Sequence, residues 1–257
     1  MILTIDVGNT DTVFAFYSEE KLLHNFRVPT KPYRGFQEYK LLLERFKRDV
    51  SDEIEGAIIA NVVPDLRENL KKSCKEIFSA DVSFVKDQDI EIDLKAQIDK
   101  PETLGADRIA NAVGAIKKYQ KNIIIADFGT ATTFEIIGDD RNYLGGAIAP
   151  GIATSVKSLH ESAALLPMYD VERPKKVIAT TLEDALHSGI FYGSLGMINF
   201  LIENIKQELS CDFKVISTGG LGGLFTKYTD SIEIYEPNLT TFGLLEIYRF
   251  NNKGSDV

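Results

Sequence analysis

Two stretches of the chain place apolar and polar residues in the same order. Ile2-Leu3-Thr4-Ile5-Asp6-Val7-Gly8-Asn9-Thr10 is one, and Ile123-Ile124-Ile125-Ala126-Asp127-Phe128-Gly129-Thr130-Ala131-Thr132-Thr133 is the other. In each, an apolar run the length of a buried strand ends on an Asp, one spacer and a Gly, followed by small polar residues. An offset of 121 lays Asp6 on Asp127, Gly8 on Gly129 and Thr12 on Thr133. A second strand-like run follows each copy, 12–17 and 133–137, and then a charged turn. The pattern predicts a β-hairpin opening each of two similar halves, residues 1–103 and 104–257.

The remaining periodicities fill in both halves. A third strand is expected at 22–28, ended by Pro29 and Pro32, then a helix from Phe36 to Val50 with apolar residues at helical spacing. A short buried strand at 56–60, a helix at 65–78 and a strand at 82–85 complete a β-β-β-α-β-α-β order, the ribonuclease H-like plan. Residues 86–103 read as polar and irregular. A helix at 104–119 follows, its apolar stripe on Ile109, Ala112, Val113 and Ile116, and is expected to cross between the halves. The second half repeats the plan: a strand at 143–149, a helix at 152–165 holding His160, a loop at 166–180, a helical stretch at 182–208 interrupted by Gly189, Gly193 and Gly196, a strand at 213–217, and a closing helix at 240–249. The expected fold class is therefore α/β, two ribonuclease H-like domains in tandem, each with a mixed five-stranded sheet flanked by helices.

Composition narrows the function. The chain has 257 residues, 44% of them apolar, enough for a sizeable core. A net charge of −9 argues against nucleic acid or an anionic membrane as the main partner, since both require basic surface. Cys74 and Cys211 lie far apart and outside metal-ligand spacing, so they read as reduced, buried thiols of a cytoplasmic protein. No basic, apolar leader opens the chain, and no uninterrupted apolar run approaches the length of a membrane helix. The polar tail, 251–257, is expected to be mobile. His24, His160 and His187 form no zinc-binding pattern, and Gly-x-x-x-x-Gly-Lys-Ser/Thr, the protein-kinase signatures and the Gly-x-Ser-x-Gly elbow are missing.

The chemistry must then come from the repeated loops. A buried strand that delivers a carboxylate into a Gly-Thr turn suits phosphate: glycine lets backbone amides approach the anion, hydroxyls donate to it, and the carboxylate can hold a cation. A hairpin with no ligand would use the same residue types. Gly105-Ala106-Asp107-Arg108 falls at the start of the 104–119 helix, where free amides and the helix dipole favour anions. Asp107 there is either a first-turn acid complementing the dipole or a functional carboxylate. Thr218-Gly219-Gly220 closes the 213–217 strand with a turn that would let a flat base approach the backbone, or that is a tight turn only.

Taken together, these motifs resemble the actin, sugar-kinase and heat-shock ATPase superfamily, and within it type III pantothenate kinases. The likeness runs nearly end to end. It rests on Asp6 to Thr10, Val62-Val63-Pro64, Gly105 to Arg108, Asp127 to Thr132, Gly145-Gly146-Ala147-Ile148-Ala149-Pro150-Gly151, Thr218 to Gly220 and Leu239-Thr240-Thr241-Phe242-Gly243-Leu244. The resemblance implies ATP-dependent phosphorylation of pantothenate to 4′-phosphopantothenate, the first step of coenzyme A synthesis. It implies that Asp6, Val7, Gly8, Asn9 and Thr10 together with Gly129, Thr130, Ala131, Thr132, Gly219 and Gly220 bind ATP. Asp6 would organise Mg²⁺, Asp127 a monovalent cation, K⁺ or NH₄⁺, and Asp107 would be the catalytic base. Gly105, Ala106, Arg108, Ile98 and, across a homodimer interface, Thr181 would line the pantothenate pocket. Ile98 stands nine residues before Asp107, where the family leads one to expect Tyr. An aliphatic side chain there packs on apolar substrate but donates no hydrogen bond. A kinase for another small alcohol, or a non-catalytic nucleotide-binding regulator, would show the same phosphate loops.

Overall fold

The computed structural model describes residues 1–32, 34–50, 52–120, 122–162 and 166–252. In chain order the strands and longer helices are β1 (Ile2–Val7), β2 (Asp11–Ser18), β3 (Lys21–Pro29), α1 (Phe36–Asp49), β4 (Gly56–Asn61), α2 (Arg67–Phe78), β5 (Asp81–Phe84), β6 (Lys95–Ala96), α3 (Ala106–Tyr119), β7 (Ile123–Phe128), β8 (Ala131–Ile137), β9 (Asn142–Pro150), α4 (Ile152–Ser162), α5 (Leu182–Leu209), β10 (Lys214–Gly219), α6 (Gly222–Thr226), β11 (Ile234–Tyr235) and α7 (Leu239–Asn251). Short 3₁₀ turns precede α2 and α3 and connect β8 to β9. The end of the 152–165 helix and residues 253–257 of the tail lie outside the described residues.

Contacts divide the chain into two compact units: residues 1–120, 140–142 and 238–257, and residues 121–139 and 143–237. The expected halves met at 104, so the structure differs in where two helices belong. Both α3 and α7 are part of the first unit. The physical reason is a backbone contact that a repeat cannot reveal. A Cβ at Gly243 would stand 1.8 Å from the Ala110 carbonyl oxygen, and one at Gly114 would stand 2.9 Å from the Leu239 carbonyl oxygen. Paired glycines thus let α3 and α7 meet main chain to main chain. Thr240 donates to Asn111 Oδ1 at 2.7 Å, and Lys117 pairs with Glu246 at 3.0 Å.

The first sheet has the order β3-β2-β1-β4-β5, with β1 antiparallel to β2 and parallel to β4. Its central strands β2, β1 and β4 bury both faces, which is why β1 and β4 read as continuous apolar runs, whereas the edge strand β3 alternates exposed and half-buried positions. Leu3, Ile5, Val7 and Ile59 pack with Tyr39, Leu43 and Phe46 of α1 and Leu70, Cys74 and Ile77 of α2. On the other face Ile58 and Ala60 pack with Ala106 and Ala110 of α3 and Leu244 and Ile247 of α7. Tyr17 reaches α7 through a 2.9 Å hydrogen bond with Thr241, and burial raises its phenol's pKa, an effect this bond partly offsets.

The second unit contributes strands in the order β11-β10-β7-β8-β9 to its sheet, β7 being antiparallel to β8 and parallel to β10. Ile124, Ala126 and Phe128 pack with Phe191, Ile198 and Ile202 of α5 and Phe225 of α6. Gly189, Gly193 and Gly196 do not interrupt α5, which runs unbroken for 28 residues. Among the described residues nothing lies within 4 Å of a Cβ built on any of the three, so none of the described helices packs closely there.

Two smaller expectations need correcting. Cys74 is buried, and burial pushes its thiol up to about 12, but Cys211 is exposed, because it sits in the turn between α5 and β10. Asn251 is anchored: its side chain donates to the Glu91 carbonyl at 2.9 Å and accepts from the Glu91 amide at 2.8 Å.

The α3–α7 contact yields a direct test. Gly243→Ala drives a methyl group into the main chain of Ala110, a clash that no side-chain rotation relieves. We expect a loss of about 1–3 kcal/mol or more in urea unfolding, although alanine is the better helix former by about 1 kcal/mol. An unchanged unfolding midpoint would show that the helices do not meet at this glycine.

Candidate functional site

In each unit the Asp-x-Gly loop hangs from the carboxyl end of a strand bonded on both sides. Asp6 pairs with Val13 of β2 and Ala60 of β4; Asp127 pairs with Thr133 of β8 and Thr218 of β10. The equivalence of the strands extends to their faces. Leu3, Ile5 and Val7 enter one core as Ile124, Ala126 and Phe128 enter the other, so Asp6 and Asp127 each point to the opposite face.

The loops themselves are not identical. Val7 pairs with Thr12, whereas Phe128 pairs with Thr132. The counterpart of Thr12 is therefore Thr132, not Thr133 as the uniform offset predicts, because the second loop is one residue shorter. Gly8 N–H accordingly closes onto Asp11 O, and Gly129 N–H onto Ala131 O, each at 3.0 Å. Thr12 and Thr132 are both fully buried. Thr12 shares a 2.9 Å hydrogen bond with Thr30, while the Thr132 hydroxyl has no hydrogen-bond partner among the described residues.

Each loop is braced from the residue that follows the third strand. Thr30, after Pro29, donates its hydroxyl to Gly8 O at 2.7 Å and its amide to Thr10 O at 2.8 Å. Gly151, after Pro150, lies so close to the second loop that a Cβ would stand 2.0 Å from Thr130 O, and Thr154 donates to that oxygen at 2.7 Å. Thr30, Gly151 and Thr154 were not among the expected site residues. The signal for the first two was present in the sequence, since Pro29-Thr30 and Pro150-Gly151 stand at the same offset of 121.

The first unit brings Asp6 and Asp107 to one face of one sheet. Asp6 shares its face with Ala60, and Ala60 packs in the cluster that holds Ala106. Gly105 is the N-cap of α3, so Asp107 and Arg108 lie in its first turn, as expected. Asp107 Oδ1 accepts from the Arg108 amide at 2.9 Å. Just ahead of the helix, Lys86 Nζ donates to the carbonyls of Glu102 and Leu104 at 2.6 and 3.1 Å, which fixes the entry to α3. Ile98 lies half-buried in the irregular stretch after β6.

The second unit brings Gly219 to Asp127. Gly219 has φ +80°, and a Cβ there would stand 2.6 Å from Asp127 Oδ1 and 2.7 Å from the Phe128 backbone. Only glycine allows both this conformation and this approach. A Cβ at Gly220 would meet nothing within 4 Å, which leaves its surface open. Thr181 is exposed and caps α5: its hydroxyl accepts from the Asp184 amide at 3.1 Å and donates to Asp184 Oδ2 at 2.8 Å.

Among the described residues, no group of three or more His, Cys, Asp or Glu side chains gathers to hold a metal. Asp6 and Asp127 each stand beside a glycine loop. That donor set fits an ion that completes its shell with phosphate oxygens and water, and does not fit a caged ion. The unpartnered Thr132 hydroxyl and the glycine loops likewise fit an oxyanion.

A family model described as type III pantothenate kinase matches residues 2–204. The chain belongs to the type III pantothenate kinase family. It is 42% identical over 258 residues to the type III pantothenate kinase of Paramagnetospirillum magneticum, covering 98% of each chain. It is 39% identical over 254 residues to that of Rhodospirillum rubrum, covering 98% of this chain and 99% of the relative. Among solved structures it resembles a conserved putative Baf family transcriptional activator from Campylobacter jejuni, with TM-score 0.62, 23% identity and coverage of 98% and 99%. A putative 2-dehydro-3-deoxygalactonokinase from Sinorhizobium meliloti gives TM-score 0.62 at 14% identity, with coverage of 97% and 99%. These two likenesses are of fold: two ribonuclease H-like α/β domains in tandem, as expected. In a type III pantothenate kinase family member, the paired Asp-x-Gly loops and the Gly105–Arg108 turn are the features that need a chemical role.

Proposed function

We propose that the protein transfers the γ-phosphoryl group of ATP to the primary hydroxyl of pantothenate, giving 4′-phosphopantothenate for coenzyme A synthesis in the cytoplasm. The observation that carries this reading is the same carboxylate-glycine loop at the end of a doubly bonded strand in both units, in a chain of this family. We further propose that the Asp-x-Gly loop of each repeat is a phosphate-binding element.

Phosphoryl transfer needs positioning and charge neutralisation more than covalent chemistry. Amides of Gly8, Asn9 and Thr10, and those of Gly129, Thr130, Ala131 and Thr132, hold phosphate oxygens. Gly219 and Gly220 lie along the adenosine. Arg108 and the Gly105 amide hold the substrate, with Ala106 and Ile98 against its apolar parts. Asp107 accepts the proton of the hydroxyl as that oxygen bonds to the γ-phosphorus and the β–γ bridging bond breaks. Asp6 would hold Mg²⁺ and Asp127 K⁺ or NH₄⁺, and these ions would offset the negative charge of the phosphates.

A homodimer accords with the surface of α5. Leu182, Leu186, Gly189, Gly193, Gly196 and Phe200 recur at spacings of three and four along one stripe, and Leu182 and Phe200 are 55% and 66% exposed. By length and composition this helix could cross a membrane. Its opposite face, however, carries Phe191, Ile198 and Ile202 into the core, so lipid cannot surround it. A second copy would cover the stripe, its glycines admitting a closely packed helix, and would place Thr181 at the pantothenate pocket. Sedimentation should give twice the monomer mass, and Gly193→Arg should halve it; a monomeric wild-type protein would overturn the assignment.

A panel of small alcohols assayed by ATP consumption tests the reaction: pantothenate should be turned over and sugars should not. Asp107→Asn should lower kcat by about 10²–10⁴-fold with ATP binding nearly unchanged. If Asp107 only complements the helix dipole, the folded variant would keep near-normal turnover and lose up to about 1 kcal/mol of stability.

Turnover should also require K⁺ or NH₄⁺, and Asp127→Asn should weaken that dependence. Rates in Na⁺ alone equal to those in K⁺ would remove Asp127 from the cation role.

A further inference from the structure

We infer that Gly105 is a positioning residue for Asp107, the space left by its missing side chain being what allows the carboxylate its place. This rests on Asp107 being the base. A Cβ at position 105 would stand 2.3 Å from Asp107 Oδ1 and 3.5 Å from Asp107 Cγ. The first distance is far inside van der Waals contact, so the two groups cannot share that space. The same Oδ1 is the atom bonded to the Arg108 amide at 2.9 Å. The carboxylate therefore leans back over the end of α3, pinned on one oxygen by the helix amide and lying over a bare α-carbon.

Backbone freedom does not explain this glycine. Its φ of −61° and ψ of 147° are open to any residue. Capping does not explain it either. Ser, Thr, Asp or Asn would cap the helix better, and no side chain caps α3. The conflict a Cβ creates is with the mobile end of one side chain and not with main chain. Asp107 can relieve it by rotating, at the cost of its bond to Arg108 and of its aim. The helix has no reason to move, since Ala106 and Ala110 are seated in the core and Lys86 holds the two carbonyls just ahead of it.

A group displaced by about 1 Å commonly costs on the order of 10²-fold in rate. Gly105→Ala should therefore lower kcat by about that factor while KM for ATP and the melting temperature stay near wild type. Gly105→Ser supplies a good cap together with a Cβ, and should lose kcat equally even if it gains stability. In an Asp107→Asn background, adding Gly105→Ala should change kcat by less than about threefold, because the group it displaces no longer acts as a base. Full turnover in folded Gly105→Ala, or an equal loss in both backgrounds, would overturn the inference. If Asp107→Asn alone retains turnover, the assignment of the base fails first, and this inference falls with it.

Discussion

Everything in the site depends on two strands that cannot slide. β1 and β7 are each hydrogen-bonded on both sides, antiparallel to the next strand and parallel to a later one. Both are buried on both faces; Leu3, Thr4 and Ile5, like Ile124, Ile125 and Ala126, have no exposed surface. A slip of one residue would exchange the side chains packed on the two faces and turn the Asp into a core. The carboxylates and the glycine turns behind them are fixed by the strands that carry them. The braces from Thr30 and from Gly151 and Thr154 then restrict the loops from above. A reaction that depends on aligning three charged partners needs this kind of rigidity.

The second constraint is the backbone contact between α3 and α7. It seats α3 against Ile58 and Ala60, and so brings the Gly105–Arg108 turn to the face of the sheet that carries Asp6. Gly114 and Gly243 are distant from the proposed chemistry, yet the placement of Asp107 relies on them. Glycine does different work at each key position: close helix contact at Gly114 and Gly243, a left-handed turn at Gly219, and room for a carboxylate at Gly105.

Much of this was legible in the chain. The hairpins could be read because their strands alternate or run apolar and their turns are marked by Gly and charge. The family could be read because its motifs recur in order. The sequence hid what depends on distant pairs or on a shift of one residue. A uniform offset set Thr12 against Thr133, since the shorter second loop shows only in the pairing of Phe128 with Thr132. The ownership of α3 and α7 rests on Gly114 meeting Gly243 across more than a hundred residues. Gly219 reads in the sequence as part of a turn open to a flat base or as a tight turn only, and the parallel pairing of β10 with β7 is what sets it against Asp127. The glycines of α5 read as interruptions of a helical stretch, and the structure shows an unbroken helix with them facing outward.

The central claim is that the repeated Asp-x-Gly loops bind the phosphates of ATP. The most direct measurement is a crystal structure with a non-hydrolysable ATP analogue, Mg²⁺ and K⁺. The account predicts triphosphate oxygens bonded to amides of the Gly8–Thr10 turn and of the Gly129–Thr132 turn, with an ion at Asp6. Triphosphate oxygens that leave either turn unbonded would contradict it.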